Sequence, residues 1–175
     1  MKIFVINGVP KSGKDTFVKF VQDTWGDYRT LNISTVDTVK EIAVTCGWDG
    51  TKTPRNRAFL SSLKDLLTQW NNLPYNDIIN KIDAFKRALF VQDIDEDKSI
   101  VFIHCREPEE IKKFVDEIGA KTLLVRREEV ENESQSNHAD TNVFDFVYDY
   151  TIDNNGTEEE LREQANQFLI KIFKK

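Results

Sequence analysis

The chain has 175 residues and a mass of 20.3 kDa, and 39% of its residues are hydrophobic, which predicts one domain (residues 1–175) with a sizeable core. The net charge of −6 argues against nucleic-acid polymers and anionic membranes as partners, because binding to either begins by neutralising phosphates. The apolar runs fall short of the ~20 residues of a membrane span. Cys46 and Cys105 are too few for a disulfide framework, so a cytoplasmic protein is expected.

The first predicted element is a buried strand at 2–7, a short run of β-branched and aromatic residues that stops at Gly8. Beyond a glycine-containing loop, apolar residues at helical spacing predict a helix that ends at Gly26. Residues 29–34 can form a second strand.

The next part of the chain, about residues 36–95, is predicted to be helical. One helix ends at Gly47, a loop follows at 48–53, and Pro74 begins a further helix. The helix between the loop and Pro74 has an apolar face made of Phe59, Leu60, Leu63, Leu66, Leu67 and Trp70. Trp70 is expected to be a packing residue.

The second half returns to alternating strands and helices. Strands are predicted at 99–105, 122–125 and 149–153, and Pro108 suits the first position of a helix. Thr157 and Glu160 form a capping box before the last helix. Near-continuous apolar strands that alternate with helices indicate an α/β fold with a central parallel sheet of about five strands, covered by helices on both faces.

The loop after the first strand carries the strongest motif. Gly8-Val9-Pro10-Lys11-Ser12-Gly13-Lys14 fits the phosphate-binding pattern G-x-x-x-x-G-K, with a strand before it and an amphipathic helix after it. Backbone N–H groups and the positive end of the helix can surround a phosphate that Lys14 also reaches. Lys11 is either a second phosphate contact or an exposed side chain. The predicted nucleotide-binding residues here are Gly8, Lys11, Ser12, Gly13, Lys14, Asp15 and Thr16.

The residue after Lys14 departs from the pattern, which requires Ser or Thr to hold Mg²⁺. Asp15 stands there, and either its carboxylate or the hydroxyl of Thr16 could substitute. The strand at 99–105 also runs into His104 rather than an acidic residue. We therefore expect Mg²⁺ to be held mainly by nucleotide phosphates, water and Asp15.

The loop with Asp15 and Thr16 resembles that of phage-type deoxynucleoside monophosphate kinases and animal-type phosphomevalonate kinases, in which Asp also follows the lysine. Arg106 is similar to the arginine of their Asp-x-Arg element, with His104 in place of the Asp, and 136–140 is similar to part of their mobile lid. The turn in 150–157 resembles the one that holds adenine. The resemblance implies a P-loop kinase of the nucleoside monophosphate kinase type that uses ATP, with a lid at about 126–146 and an adenine site at Asn154 and Gly156.

Phosphoryl transfer needs cations around the transferred group. Arg106 follows the carboxyl end of a strand, where ligands bind in open α/β sheets. Arg126 and Arg127 follow the next strand, and they either contact phosphates or pair with Glu128 and Glu129. Lys14, Arg106, Arg126 and Arg127 are the candidate catalytic residues.

The resemblance to nucleotide kinases also implies an acceptor site in the helical region at about 36–95, next to the end of the second strand. Asp37 could orient an acceptor hydroxyl or cap a helix, and Trp48 could stack on a base. Helical spacing puts Arg55 and Arg57 on different sides of their helix, so one of them faces the site. The candidate substrate-binding residues are Ser34, Asp37, Lys40, Trp48, Arg55 and Arg57.

Three functions are compatible with these residues. The first is transfer of the ATP γ-phosphoryl group to a (deoxy)nucleoside monophosphate, and the second is transfer to a non-nucleotide phosphate such as phosphomevalonate. The third is a nucleotide-binding protein with little turnover that acts as a switch or a partner module. GTP as the donor and the oligomeric state are left open.

Overall fold

The computed structural model describes residues 1–131, 142–144 and 146–173. Its strands are β1 (Lys2–Asn7), β2 (Thr30–Ser34), β3 (Ile100–His104), β4 (Lys121–Arg126) and β5 (Tyr150–Asp153). Its helices are α1 (Lys14–Trp25), α2 (Asp37–Thr45), α3 (Pro54–Asn71), α4 (Leu73–Val91), α5 (Pro108–Ile118), α6 (Glu128–Glu131) and α7 (Glu158–Phe173). Short 3-10 helices lie at Asp27–Arg29, Glu96–Lys98 and Asn142–Phe144.

The five strands form one parallel sheet in the order β2-β3-β1-β4-β5. The central strand β1 is therefore the first in the chain, and the loop that follows it leaves from the middle of the sheet. Ile6 is in register with His104, which is in turn in register with Ser34. The carboxyl ends of β1, β2 and β3 thus lie side by side, which is where ligands bind in such sheets.

Alternate residues of the strands point to opposite faces, and each face has its own core. On one face, Phe4 and Phe102 pack with Phe17 of α1 and Phe168 of α7. On the other face, a second cluster joins the sheet to α4 and α5 through residues such as Phe114. The predicted α/β class, with a five-stranded parallel sheet covered on both sides, is confirmed.

Local helix signals in the sequence are also confirmed. α5 begins at Pro108, and Gly119 follows its end with φ of 66°. At the start of α7, the Thr157 N–H donates to the Glu160 carboxylate at 2.7 Å and the Glu160 N–H donates to the Thr157 hydroxyl at 3.2 Å. These are the two reciprocal bonds of the predicted capping box.

Helix α3 differs from its predicted packing. None of its residues is buried, and Leu66 and Trp70 of its apolar face are 61% and 81% exposed. The helix packs mainly against α2 and α4, and Lys64 pairs with Glu110 of α5 at 2.7 Å. The expectation that Trp70 is a packing residue is wrong, because helical periodicity identifies an apolar face but not what covers it.

Over the described ranges, every helix is too short or too polar to traverse a lipid bilayer.

Candidate functional site

The loop between β1 and α1 has the backbone geometry that its glycines permit. A Cβ at Gly8 would lie 2.5 Å from the carbonyl oxygen of Val125 on β4. Gly13 has φ of 94°, and a Cβ there would collide with the side-chain amide of Asn154. Lys11 also has a positive φ of 66°, which is uncommon for a non-glycine residue. The loop is therefore tightly curled against β4 and the turn after β5.

Asn154 holds this loop from the other end of the chain. Its side chain is 8% exposed and donates a 2.9 Å hydrogen bond to the carbonyl oxygen of Ser12, while its own backbone N–H donates to Arg126 at 2.7 Å. The sequence predicted Asn154 as an adenine-site residue. In the structure its amide is bonded to the phosphate loop, so it also supports the shape of that loop.

A second, partly buried network of hydrogen bonds supports the start of the loop. The Tyr148 hydroxyl donates to the carbonyl oxygen of Val143 and accepts from Asn7 Nδ2, each at 2.8 Å. The Asn7 Oδ1 then accepts the Gly8 N–H at 2.8 Å. Burial raises the pKa of Tyr148 to about 12. This pair was not predicted from the sequence, where Asn7, the polar residue just before Gly8, was the one signal for it.

A cavity of about 410 Å³ opens beside the loop, between the start of α1 and the start of α7. This size suits a nucleotide-sized ligand. Its walls bring together most of the predicted nucleotide-binding residues with Arg127 and with the turn after β5. The lining residues are Lys11, Gly13, Lys14, Asp15, Thr16, Arg127, Asn154, Gly156, Glu158 and Leu161.

His104 lies at the edge of the same site. Its Nε2 is 2.8 Å from Asn32 Oδ1, and its Nδ1 is 3.6 Å from Asp15 Oδ1. Burial lowers the pKa of His104 to about 4, and the positive charges of Lys14 and Arg106 act in the same direction. The nearby carboxylates of Asp15 and Asp37 oppose that shift. The imidazole is therefore neutral near pH 7, and the structure brings it to the predicted metal residue Asp15.

The predicted arginines have different surroundings. Arg106 is half-buried directly after β3, close enough to affect His104 electrostatically. Arg126 forms a two-bond pair with Glu131, at 2.9 and 3.0 Å, and this pair raises the pKa of Arg126. Arg127 contacts Glu129 at 2.7 Å and lines the cavity. Of the arginine pair, Arg127 is the one that lines the cavity.

Ser34, Asp37 and Lys40 stay together at the end of β2. The Ser34 N–H donates to Asp37 Oδ2 at 2.8 Å, and the Lys40 ammonium is 4.0 Å from Asp37 Oδ1. Asp37 is the first residue of α2 rather than its cap, because Val36 occupies the cap position. One carboxylate oxygen of Asp37 is therefore used in closing the turn after β2.

Trp48, Arg55 and Arg57 lie in the α2–α3 loop and the first turns of α3. The indole N–H of Trp48 donates to the carbonyl oxygen of Thr51 at 3.2 Å, and its ring is half-buried. Both arginines are exposed. The structure does not join these three side chains to the phosphate loop, so their acceptor role stays a prediction.

The side chains near the loop supply only some of the ligands that a divalent cation needs. Asp15 supplies an oxygen and is 84% exposed beside Lys14, which fits Mg²⁺. Across the described ranges, no three His, Cys, Asp or Glu side chains are grouped to hold a metal ion. An ion at Asp15 would thus need phosphate or water oxygens as further ligands. The predicted lid segment 136–140 lies outside the described residues.

Comparison with known proteins finds no matching family model and no matching curated protein. Two similar solved structures are the APS kinase CysC of Mycobacterium tuberculosis, as a cysteine-to-alanine mutant, and TT1252 from Thermus thermophilus. The first is 11% identical with a TM-score of 0.43, over 97% of this chain and 96% of that chain. The second is 18% identical with a TM-score of 0.44, over 99% of this chain and 98% of that chain. At these identities and TM-scores, neither similarity indicates what this chain does.

Proposed function

We propose that this protein is a phosphotransferase that moves the γ-phosphoryl group of ATP to a small phosphorylated acceptor, a (deoxy)nucleoside monophosphate. The observation that carries the proposal is the curled G-x-x-x-x-G-K loop, with Lys14 on the wall of a nucleotide-sized cavity. Backbone amides at a helix start and a lysine together favour a triphosphate over neutral ligands.

The chain's own residues supply positioning and positive charge. The loop amides and Lys14 bind the β- and γ-phosphates, and Arg106 and Arg127 offset charge as the phosphoryl group moves. Mg²⁺, when bound through Asp15 and phosphate oxygens, would neutralise negative charge on the nucleotide. Arg126 keeps its neighbour Glu131 in place and contributes less.

The acceptor would approach from the carboxyl ends of β2 and β3. Ser34 and Lys40 provide polar and cationic groups there, and Asp37 would orient the acceptor through its remaining oxygen. Trp48 is the candidate wall for a base, and Arg55 and Arg57 are candidate contacts for the acceptor phosphate. A phosphate acceptor does not require a strong general base, because its own pKa is already low.

The test is product analysis with ATP or GTP and a panel of nucleoside monophosphates and phosphorylated metabolites, together with direct binding of ATP by calorimetry. Lys14→Ala should weaken transfer by about 100-fold, because a cation aimed at the transferred group is lost. Lys19→Ala is the matched control on the same helix, since Lys19 is 69% exposed and pairs only with Asp23 among the described ion pairs.

The outcomes separate the three functions. Transfer to a nucleoside monophosphate supports the proposal. Transfer to phosphomevalonate alone would mean that the protein is a kinase with a non-nucleotide acceptor. ATP binding with transfer to no acceptor would leave a nucleotide-binding module. Absence of ATP binding would refute the proposal as a whole.

A further inference from the structure

His104 and Asp15 face each other in an arrangement that is not a hydrogen bond. The distance of 3.6 Å between His104 Nδ1 and Asp15 Oδ1 is too long for one. The imidazole comes from the end of β3 and the carboxylate from the first turn of α1. The end of a strand and the start of a helix thus bring a nitrogen and an oxygen within 3.6 Å of each other.

The hydrogen bond at the other ring nitrogen of His104 shows which of the two nitrogens can bind a metal ion. His104 Nε2 lies 2.8 Å from Asn32 Oδ1, and an amide oxygen only accepts hydrogen bonds, so Nε2 carries the proton. In the neutral ring the lone pair is then on Nδ1, the nitrogen that lies 3.6 Å from Asp15 Oδ1. Orientation of a histidine by a hydrogen bond to its distal nitrogen is typical of metal ligands.

A lone pair that faces a carboxylate repels it unless a cation lies between them. A nitrogen and an oxygen that bind one ion at about 2.1 Å each are about 3.0 Å apart at octahedral angles and about 3.4 Å apart at tetrahedral angles. The observed 3.6 Å is slightly longer than either, so the exposed side chain of Asp15 would move toward His104 by a fraction of an ångström to share one ion. The carboxylate of Asp37 adds negative charge nearby, whereas Lys14 and Arg106 add positive charge.

We propose that Asp15 and His104 form a mixed oxygen–nitrogen site for a divalent cation, completed by nucleotide phosphate oxygens, that favours first-row transition ions such as Mn²⁺ over Mg²⁺. Mg²⁺ prefers oxygen ligands in octahedral geometry, whereas imidazole suits transition metals. Two protein ligands are too few to hold the ion alone, so it binds together with the nucleotide. This inference rests on the nucleotide binding proposed above.

The test uses Mn²⁺ and ATP with the full chain, monitored by electron paramagnetic resonance. Loss of the free Mn²⁺ signal measures binding, and electron spin echo modulation from a directly bonded nitrogen identifies an imidazole ligand. We expect nitrogen modulation in the complex that changes when the histidines are labelled with ¹⁵N, which excludes adenine as its source. Without ATP, Mn²⁺ should bind at least tenfold more weakly.

Three variants assign the signal. His104→Asp should abolish the nitrogen modulation and lower the preference for Mn²⁺ over Mg²⁺ by about tenfold, because an oxygen replaces the imidazole. His138→Asn is the control, since it removes the other histidine of the chain, and it should change nothing. Asn32→Ala should keep the modulation but weaken Mn²⁺ binding several-fold, since the ring loses its orienting bond.

Two results would overturn the inference. The first is ATP-dependent Mn²⁺ binding in the unaltered protein without modulation from a histidine nitrogen. The second is a preference for Mn²⁺ over Mg²⁺ in His104→Asp that equals the preference of the unaltered protein. Because the first of these needs no substitution, it decides the question even if His104→Asp fails to fold. Failure to bind ATP at all would instead refute the proposed function.

Discussion

The hydrogen bonds that meet at Tyr148 can run in one direction only. Its hydroxyl has a single proton, which goes to the Val143 carbonyl, so its oxygen must accept from Asn7 Nδ2. That choice leaves Asn7 Oδ1 facing the Gly8 N–H. One tyrosine hydroxyl therefore determines the orientation of the amide that supports the first glycine of the phosphate loop.

Tyr148→Phe should therefore loosen the phosphate loop. The Asn7 side chain is 1% exposed, and leaving its donor unpaired costs about 1–3 kcal/mol. We expect lower stability in urea and about fivefold weaker ATP binding in calorimetry. Tyr75→Phe is the matched control, because it removes one hydrogen bond, to Glu117, away from the loop. Equal ATP affinity in the two variants would contradict this role for Tyr148.

The two cysteines should differ sharply in reactivity. Cys46 is exposed, whereas Cys105 is 4% exposed and its thiol donates to Glu110 at 3.2 Å. Burial and the Glu110 carboxylate raise the pKa of Cys105 well above its usual value, so its reactive thiolate is scarce at neutral pH. A disulfide exchange reagent should titrate one thiol quickly in the native protein and the second only after unfolding. Cys46→Ser should remove the fast phase, and two fast thiols in the native protein would show this picture to be wrong.

At the scale of elements, α3 and α4 offer two leucines in similar helices with opposite surroundings. Leu66 of α3 is 61% exposed and Leu89 of α4 is 1% exposed. Leu89→Ala should lower the free energy of unfolding by about 2–5 kcal/mol through the lost burial and the cavity left behind. Leu66→Ala should change it by about 0.5 kcal/mol or less. Chemical denaturation of both variants measures the difference, and similar losses would mean that α3 is buried in solution.

The α3 result shows what helical periodicity can and cannot predict. Leu66 and Leu89 both lie on apolar stripes, and nothing local to either residue says which stripe meets the sheet. The strands carry that information better, because a run such as Ile100–Ile103 has no polar face to turn toward water. The parallel sheet with two covered faces was therefore predictable, whereas the packing of the helical region was not.

At the scale of the whole molecule, the candidate site was predictable where it is continuous in sequence. The loop at 8–14 is a contiguous motif, and the cavity residues of α1 follow from it. Tyr148 and Asn32 could not be found in this way, because their partners Asn7 and His104 are 141 and 72 residues distant in the chain. Such contacts depend on the strand order β2-β3-β1-β4-β5, which periodicity alone does not specify.

The bond between Asn154 and Ser12 has a consequence for how the protein matures during synthesis. It joins residues 142 apart, and β1 itself acquires its neighbours only when β3 and β4 have been made. A ribosome-bound chain that has not yet reached Asn154 therefore carries a complete phosphate motif without its supporting amide. Since long-range pairings form late in folding, we expect the loop to take its native shape only after Asn154 has been synthesised, rather than when the motif emerges.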